Sequence, residues 1–73
     1  MYIFRSKAGT FTIGSDPTVS GYYELCIGGM WLGTYETADK AAQDVFLRCT
    51  GWLDWDSRKD TDCPRELGEW EVL

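Results

Sequence analysis

The chain has 73 residues, a formal charge of −5 and 15% aromatic residues. A chain this short forms one domain, residues 1–73, and buries only about 60% of the surface its unfolded form exposes, so its four Trp, four Tyr and three Phe supply much of the core. No run of about 18 apolar residues exists, which excludes a membrane-spanning helix, and seven Lys and Arg against twelve acids leave few cations for nucleic-acid phosphates.

Residues 2–4, Tyr-Ile-Phe, are apolar and β-prone, and residues 5–9 read as a turn or bulge. Thr10 to Ile13 alternates polar and apolar residues, the pattern of a half-buried strand. Ser15-Asp16-Pro17 is a turn signal, because Pro presets φ and Asp bonds nearby backbone amides. The loop it opens runs to Gly21.

Tyr22 to Ile27 and Met30 to Tyr35 are two strands joined by Gly28-Gly29, a pair suited to a two-residue hairpin turn. That turn sets Ile27 opposite Met30, Cys26 opposite Trp31, Leu25 opposite Leu32 and Tyr23 opposite Thr34. Opposed residues share a face. One face then carries Tyr23, Leu25, Ile27, Met30, Leu32 and Thr34 and reads as core. The outer face carries Tyr22, Glu24, Cys26, Trp31, Gly33 and Tyr35.

Thr37 is a good N-cap, and Asp39 suits the positive end of the helix dipole. Ala38, Ala41, Ala42, Val45 and Cys49 fall on one stripe with Phe46 at its edge, and Gly51 is the expected residue after the C-cap. Leu47 points off the stripe, which predicts that another segment covers it. Residues 52–73 carry −4 of the −5 charge but also three Trp. This extension is expected to pack on the body formed by residues 1–51. Asp56 to Cys63 is polar and expected to be a mobile loop, and Pro64 to Leu67 can start a helical turn. The predicted architecture is α+β: a three-stranded antiparallel sheet packed on one helix (β-β-β-α), with a Trp-rich acidic C-terminal extension.

The run Trp31-Leu-Gly-Thr-Tyr-Glu-Thr-Ala-Asp-Lys-Ala-Ala42 resembles the strand-to-helix corner of the plant ethylene-response-factor (APETALA-type) DNA-binding domain. Tyr35 stands at the family's Phe, and Asp39-Lys40 stand at its acidic pair. The looser resemblance from Tyr22 to Gly51, and over Leu53-Asp54-Trp55, implies the same strand order and helix. It also implies that Trp31 is a contact residue on a sheet that lies in the DNA major groove. Gly29 replaces that family's Arg, and no Lys or Arg lies between Lys7 and Lys40, so Arg5 and Lys7 are the candidate cations beside Trp31. The whole chain is also similar to small, uncharacterised bacterial proteins with a Pro–Leu–Glu–Trp ending, here Pro64, Leu67, Glu69 and Trp70.

Candidate sites follow from these faces. Tyr22, Glu24, Trp31 and Tyr35 form a candidate interaction face. The alternative is that the extension folds over it with Trp52, Trp55 or Trp70. Asp54/Asp56 and Glu69/Glu71 are paired carboxylates, but no His, nucleophile or phosphate-cradling loop accompanies them, so no enzyme, cofactor or catalytic residue is expected. Arg58-Lys59 is a basic doublet among acids. Cys26, Cys49 and Cys63 are scattered thiols without a His to complete a metal set. Cys26 and Cys49 read as small apolar residues, and Cys63 as an exposed thiol. The expected function is a small non-enzymatic cytoplasmic interaction or regulatory module that binds a protein partner or itself. The alternative is a divergent DNA-binding domain using the sheet, with Arg5, Lys7 and Trp31 as contacts. Neither a membrane nor a metal is an expected partner.

Overall fold

The computed structural model describes residues 1–58 and 63–73. Residues 59–62 of the polar loop expected over 56–63 lie outside those residues, Lys59 of the basic doublet among them. Asp56 itself is helical.

Antiparallel strands β1 (Tyr2–Ser6), β2 (Gly9–Ser15), β3 (Tyr23–Ile27) and β4 (Met30–Tyr35) are followed by helix α1 (Ala38–Leu47) and a single turn α2 (Leu53–Asp56). A 3-10 turn at Leu67–Glu69 then leads into β5 (Glu71–Val72). The sheet order is β4-β3-β2-β1-β5. The fold is α+β with an antiparallel sheet, as expected, but the sheet has five strands rather than three. Ser6 accounts for the first extra strand. Its Oγ donates to the Gly9 carbonyl and accepts from the Ala8 and Gly9 amides. This closes a tight turn at Lys7-Ala8, so residues 2–6 pair fully with β2. The second extra strand comes from the extension, where Glu71 pairs with Ile3 and Val72 with Tyr2.

Gly28 and Gly29 have φ of 55° and 90°, the two positive values a type I′ turn needs. Ile27 therefore pairs with Met30 and Cys26 with Trp31. Beyond Trp31 the expected register fails: Leu25 pairs with Gly33, Glu24 with Thr34 and Tyr23 with Tyr35. Leu32 is the extra residue of a β-bulge, which moves Gly33 and Tyr35 to the helix side and Thr34 to the outer side.

Helix α1 begins as expected, with the Thr37 Oγ1 accepting from the Lys40 amide at 3.2 Å. Ala38, Ala41, Ala42 and Val45 are buried against the sheet, and their small side chains permit a close approach. The helix ends earlier than expected. Its left-handed C-cap is Arg48 (φ 61°), and Gly51, also at positive φ (86°), lies three residues further on; Cys49 is exposed beyond the helix rather than on its buried stripe. Among the described residues no segment covers Leu47. It is half-exposed and lines a shallow groove with Phe46 and Leu67.

The core lies between one sheet face and α1, and the extension completes it. Trp55 is fully buried and Trp70 nearly so. Phe4 and Phe11, paired across β1 and β2, stack in parallel with centroids 5.9 Å apart. Trp55 meets both edge-on, at 5.9 and 5.0 Å, and Trp70 tilts onto Phe4 at 5.6 Å. Such pairs add about 0.5–1.5 kcal/mol each beyond area burial. The Trp55 indole N–H donates to the Val45 carbonyl at 2.9 Å, and the Arg48 guanidinium lies 4.1 Å from its ring centroid. Trp70 Nε1, by contrast, is buried with no hydrogen-bond partner among the described residues.

Two tryptophan substitutions should therefore differ. Trp55→Phe loses a satisfied donor and a cation contact and should cost about 2–3 kcal/mol. Trp70→Phe removes an unpaired buried N–H, which offsets most of its lost packing, and should stay within about 1 kcal/mol of the parent. Urea unfolding of both variants checks this, and equal losses would contradict the assignment.

Candidate functional site

Strand alternation and register define the outer sheet face. Trp31, Cys26, Thr12, Ile3 and Glu71 form one row across all five strands. Thr34, Glu24 and Gly14 form the next row. Trp31 sits on the edge strand and is 59% exposed. Tyr22 precedes β3 and is also exposed, and Glu24 is half-buried beside Thr34. The extension does not cover this face with its tryptophans, because Trp52, Trp55 and Trp70 all pack with the core on the helix side.

Tyr35 does not belong to the outer face. The bulge carries it to the helix side, where its hydroxyl donates to Asp44 Oδ2 at 2.8 Å. Burial first, and then the bonded Asp44 carboxylate, push its phenol well above the usual range. Gly33 makes the seat for its ring, since a Cβ at position 33 would lie 3.3 Å from the Tyr35 ring. An isolated Gly within a strand is a known signal of a bulge or of close approach, and Gly33 carried that signal in the sequence.

The three candidate DNA contacts are separated. Arg5 lies on the outer face of β1, three strands from Trp31 or about 14 Å at ordinary strand spacing, and it is ion-paired with Glu71. Lys7 lies in the β1–β2 turn and lines a cleft with Trp52 and Arg58 rather than joining the outer face.

The acid pairs have separate places. Asp56 accepts from the Thr50 amide and hydroxyl and from the Gly51 amide, which ties the link between α1 and α2. Glu69 forms a capping box with Glu66, Glu71 pairs with Arg5, and Asp54 is exposed. Cys63 is half-buried against the core rather than exposed. Burial raises its thiol pKa, and a hydrogen bond from Arg48 partly opposes this. Cys26 is half-buried on the outer face, and its thiol is likewise raised, first by burial and then by Glu24 and Asp16.

Sequence reasoning read Asp16 as a turn residue and missed its tie to the sheet. One carboxylate oxygen accepts from the Thr18 hydroxyl at 2.7 Å and from the amides of Thr18 and Val19. The other accepts from the Thr34 hydroxyl at 2.9 Å. Asp16 thus fastens the loop after β2 to the edge strand β4, close to the outer face. Among the described residues no His, Cys, Asp or Glu cluster could hold a metal ion, and no helix is long and apolar enough to cross a membrane.

Comparison with family models, curated proteins and solved structures gave no match.

The Asp16 carboxyl is held below its usual range, first by the Thr18 hydroxyl, then by the Thr18 amide and the Thr34 hydroxyl. A carboxylate with a depressed folded pKa stabilises the protein fully above its unfolded pKa, and this contribution is lost as pH falls through the folded pKa. Asp16→Asn should flatten the decline in stability between about pH 4 and pH 2 relative to the parent. Urea midpoints measured across that range check it, and parallel curves would contradict it.

Proposed function

We propose that the protein is a small non-enzymatic cytoplasmic interaction module that binds a protein partner or itself through the outer sheet face around Trp31, with Tyr22 and Glu24 beside it. The observation that carries this reading is the exposure of Trp31. Of four Trp, two are in the core and one is half-buried over it, while Trp31 stands open on an edge strand. Trp is enriched among residues that dominate binding energy at protein interfaces.

The two sheet edges support the same reading. β5 is two residues long and carries Glu71 in an ion pair, both of which discourage strand pairing. β4 is six residues long, Met30–Tyr35, with no charged side chain and with Met30 and Trp31 exposed. Its free edge suits pairing with another strand, although the bulge at Leu32 limits the length of such a ladder. Of the carboxylates weighed as acid–base pairs, Asp56 ties a loop, Glu69 a cap and Glu71 an ion pair, which favours a binding role over catalysis.

A divergent DNA-binding domain is the second reading, favoured by the shared outer face of Arg5 and Trp31. A titration of the labelled protein with mixed duplex DNA at low salt should then shift residues of β1 to β4, less so as salt rises. An absence of shifts at millimolar concentration would end that reading.

For the favoured reading, Trp31→Ala should weaken association at least about tenfold while changing folding stability by less than about 0.5 kcal/mol. Sedimentation velocity over a concentration series reads self-association, and capture on immobilised protein reads a partner. A protein that stays monomeric and captures nothing in a Trp31-dependent way would refute the proposal.

A further inference from the structure

A second site lies away from the outer face. The β1–β2 turn and α2 with its flanking residues border an open cleft of about 330 Å³ lined by Lys7, Ala8, Trp52, Asp54, Ser57 and Arg58. Its size is near the lower end of the roughly 300–1,000 Å³ usual for small-molecule sites. In a protein of charge −5 this cleft brings together two cations and one carboxylate.

Both cations are carried on backbone that hydrogen bonds fix. The Arg58 carbonyl accepts from Arg48 Nε at 2.7 Å, its amide donates to the Trp55 carbonyl at 2.9 Å, and its own Nε donates to the Asp54 carbonyl at 3.2 Å. The backbone and the root of the guanidinium are thereby fixed. Its two Nη groups have no acceptor among the described residues, and they form the planar fork that grips phosphate or carboxylate. Lys7 is carried by the turn that Ser6 closes with three hydrogen bonds, and its ammonium has no ion-pair partner among the described residues. By contrast, Arg5 and Lys40 each have a carboxylate partner, and Arg65 lies over Phe46.

The rest of the lining narrows the ligand. Trp52 supplies an aromatic wall, half-buried and held edge-on to Phe11 at 6.3 Å. The Ser57 hydroxyl donates to the Leu53 carbonyl and keeps its lone pairs. Asp54 is exposed on the lining, and its carboxylate is an acceptor. We propose that this cleft binds a nucleoside monophosphate: Arg58 and Lys7 hold the phosphate, Trp52 stacks on the base, and Asp54 accepts from the sugar hydroxyls. Two cations match one phosphate. A polynucleotide would need many more, and the overall charge repels it.

The probes are adenosine 5′-monophosphate, adenosine and inorganic phosphate, titrated separately into labelled protein at low salt. The monophosphate should shift the Lys7, Ala8, Ser57 and Arg58 amides and the Trp52 indole signal in a saturable way. Adenosine or phosphate alone should bind at least about tenfold more weakly, as expected when the phosphate and the ring each contribute. Lys7→Gln and Arg58→Gln should each weaken the monophosphate about tenfold. The Lys7 side chain makes no hydrogen bond among the described residues, so Lys7→Gln should keep the parent's thermal midpoint and separates binding from folding. The proposal is overturned by no saturable shift up to about 10 mM (the range of weak ligands), by equal affinity for phosphate and monophosphate, by parent-like affinity in Lys7→Gln, or by shifts centred on Trp31.

Discussion

The rest of the structure depends on one contact, the Trp55 indole wedged between sheet and helix with its N–H on the Val45 carbonyl. A helix leaves its last four carbonyls without intrahelical donors, and in α1 a side chain ten residues further on supplies one. For the indole to arrive, the chain must turn sharply after Leu47. Arg48 makes that turn in the left-handed region, where a non-glycine residue pays a conformational cost. The same Arg48 then covers the Trp55 ring and grips the Arg58 carbonyl. Helix end, reversal and α2 are one packed unit.

That unit determines what each sheet face is free to do. A two-layer fold of this size needs large side chains to close its core, and here residues beyond 51 provide them. Trp55 fills the space against Phe4 and Phe11, and Trp70 follows beside Phe4. The chain then adds β5 to the sheet and ties Leu73 to Met1 through a backbone bond of 2.8 Å. With its tryptophans committed to the helix side, the extension leaves the outer face to small and aliphatic residues, the Arg5–Glu71 ion pair, Glu24 and Trp31. It also brings Trp52 and Arg58 to the β1–β2 turn, which creates the second cleft.

Much of this was legible in the sequence. The Gly28-Gly29 turn, the start of α1 at Thr37 and the outward direction of Trp31 followed from local chemistry that tertiary packing did not disturb. Tyr35 was assigned to the wrong face, because the bulge at Leu32 shifts the register within the strand. Gly33 hinted at it, but an alternation count alone passes over it. The first strand was read as β-prone over residues 2–4 but left out of the sheet and cut short, because Ser6 closes its turn with a side-chain oxygen rather than with a familiar turn pair. The end of α1 was misread because its left-handed cap is Arg48 rather than a glycine, and the contacts of Arg48 with Trp55 and Arg58 lie outside any window on the helix. The Lys7–Arg58 cleft was not legible either, since its parts lie about fifty residues apart.

The central claim is that the extension belongs to the core and that Trp31 is left outside it. Hydrogen exchange of the four tryptophan indole N–H groups tests this directly, because each gives its own resonance. The account predicts strong protection for Trp55, approaching that of global unfolding, and exchange close to the unprotected rate for Trp31. A Trp31 indole as protected as that of Trp55, or a Trp55 indole exchanging as fast as that of Trp31, would contradict it.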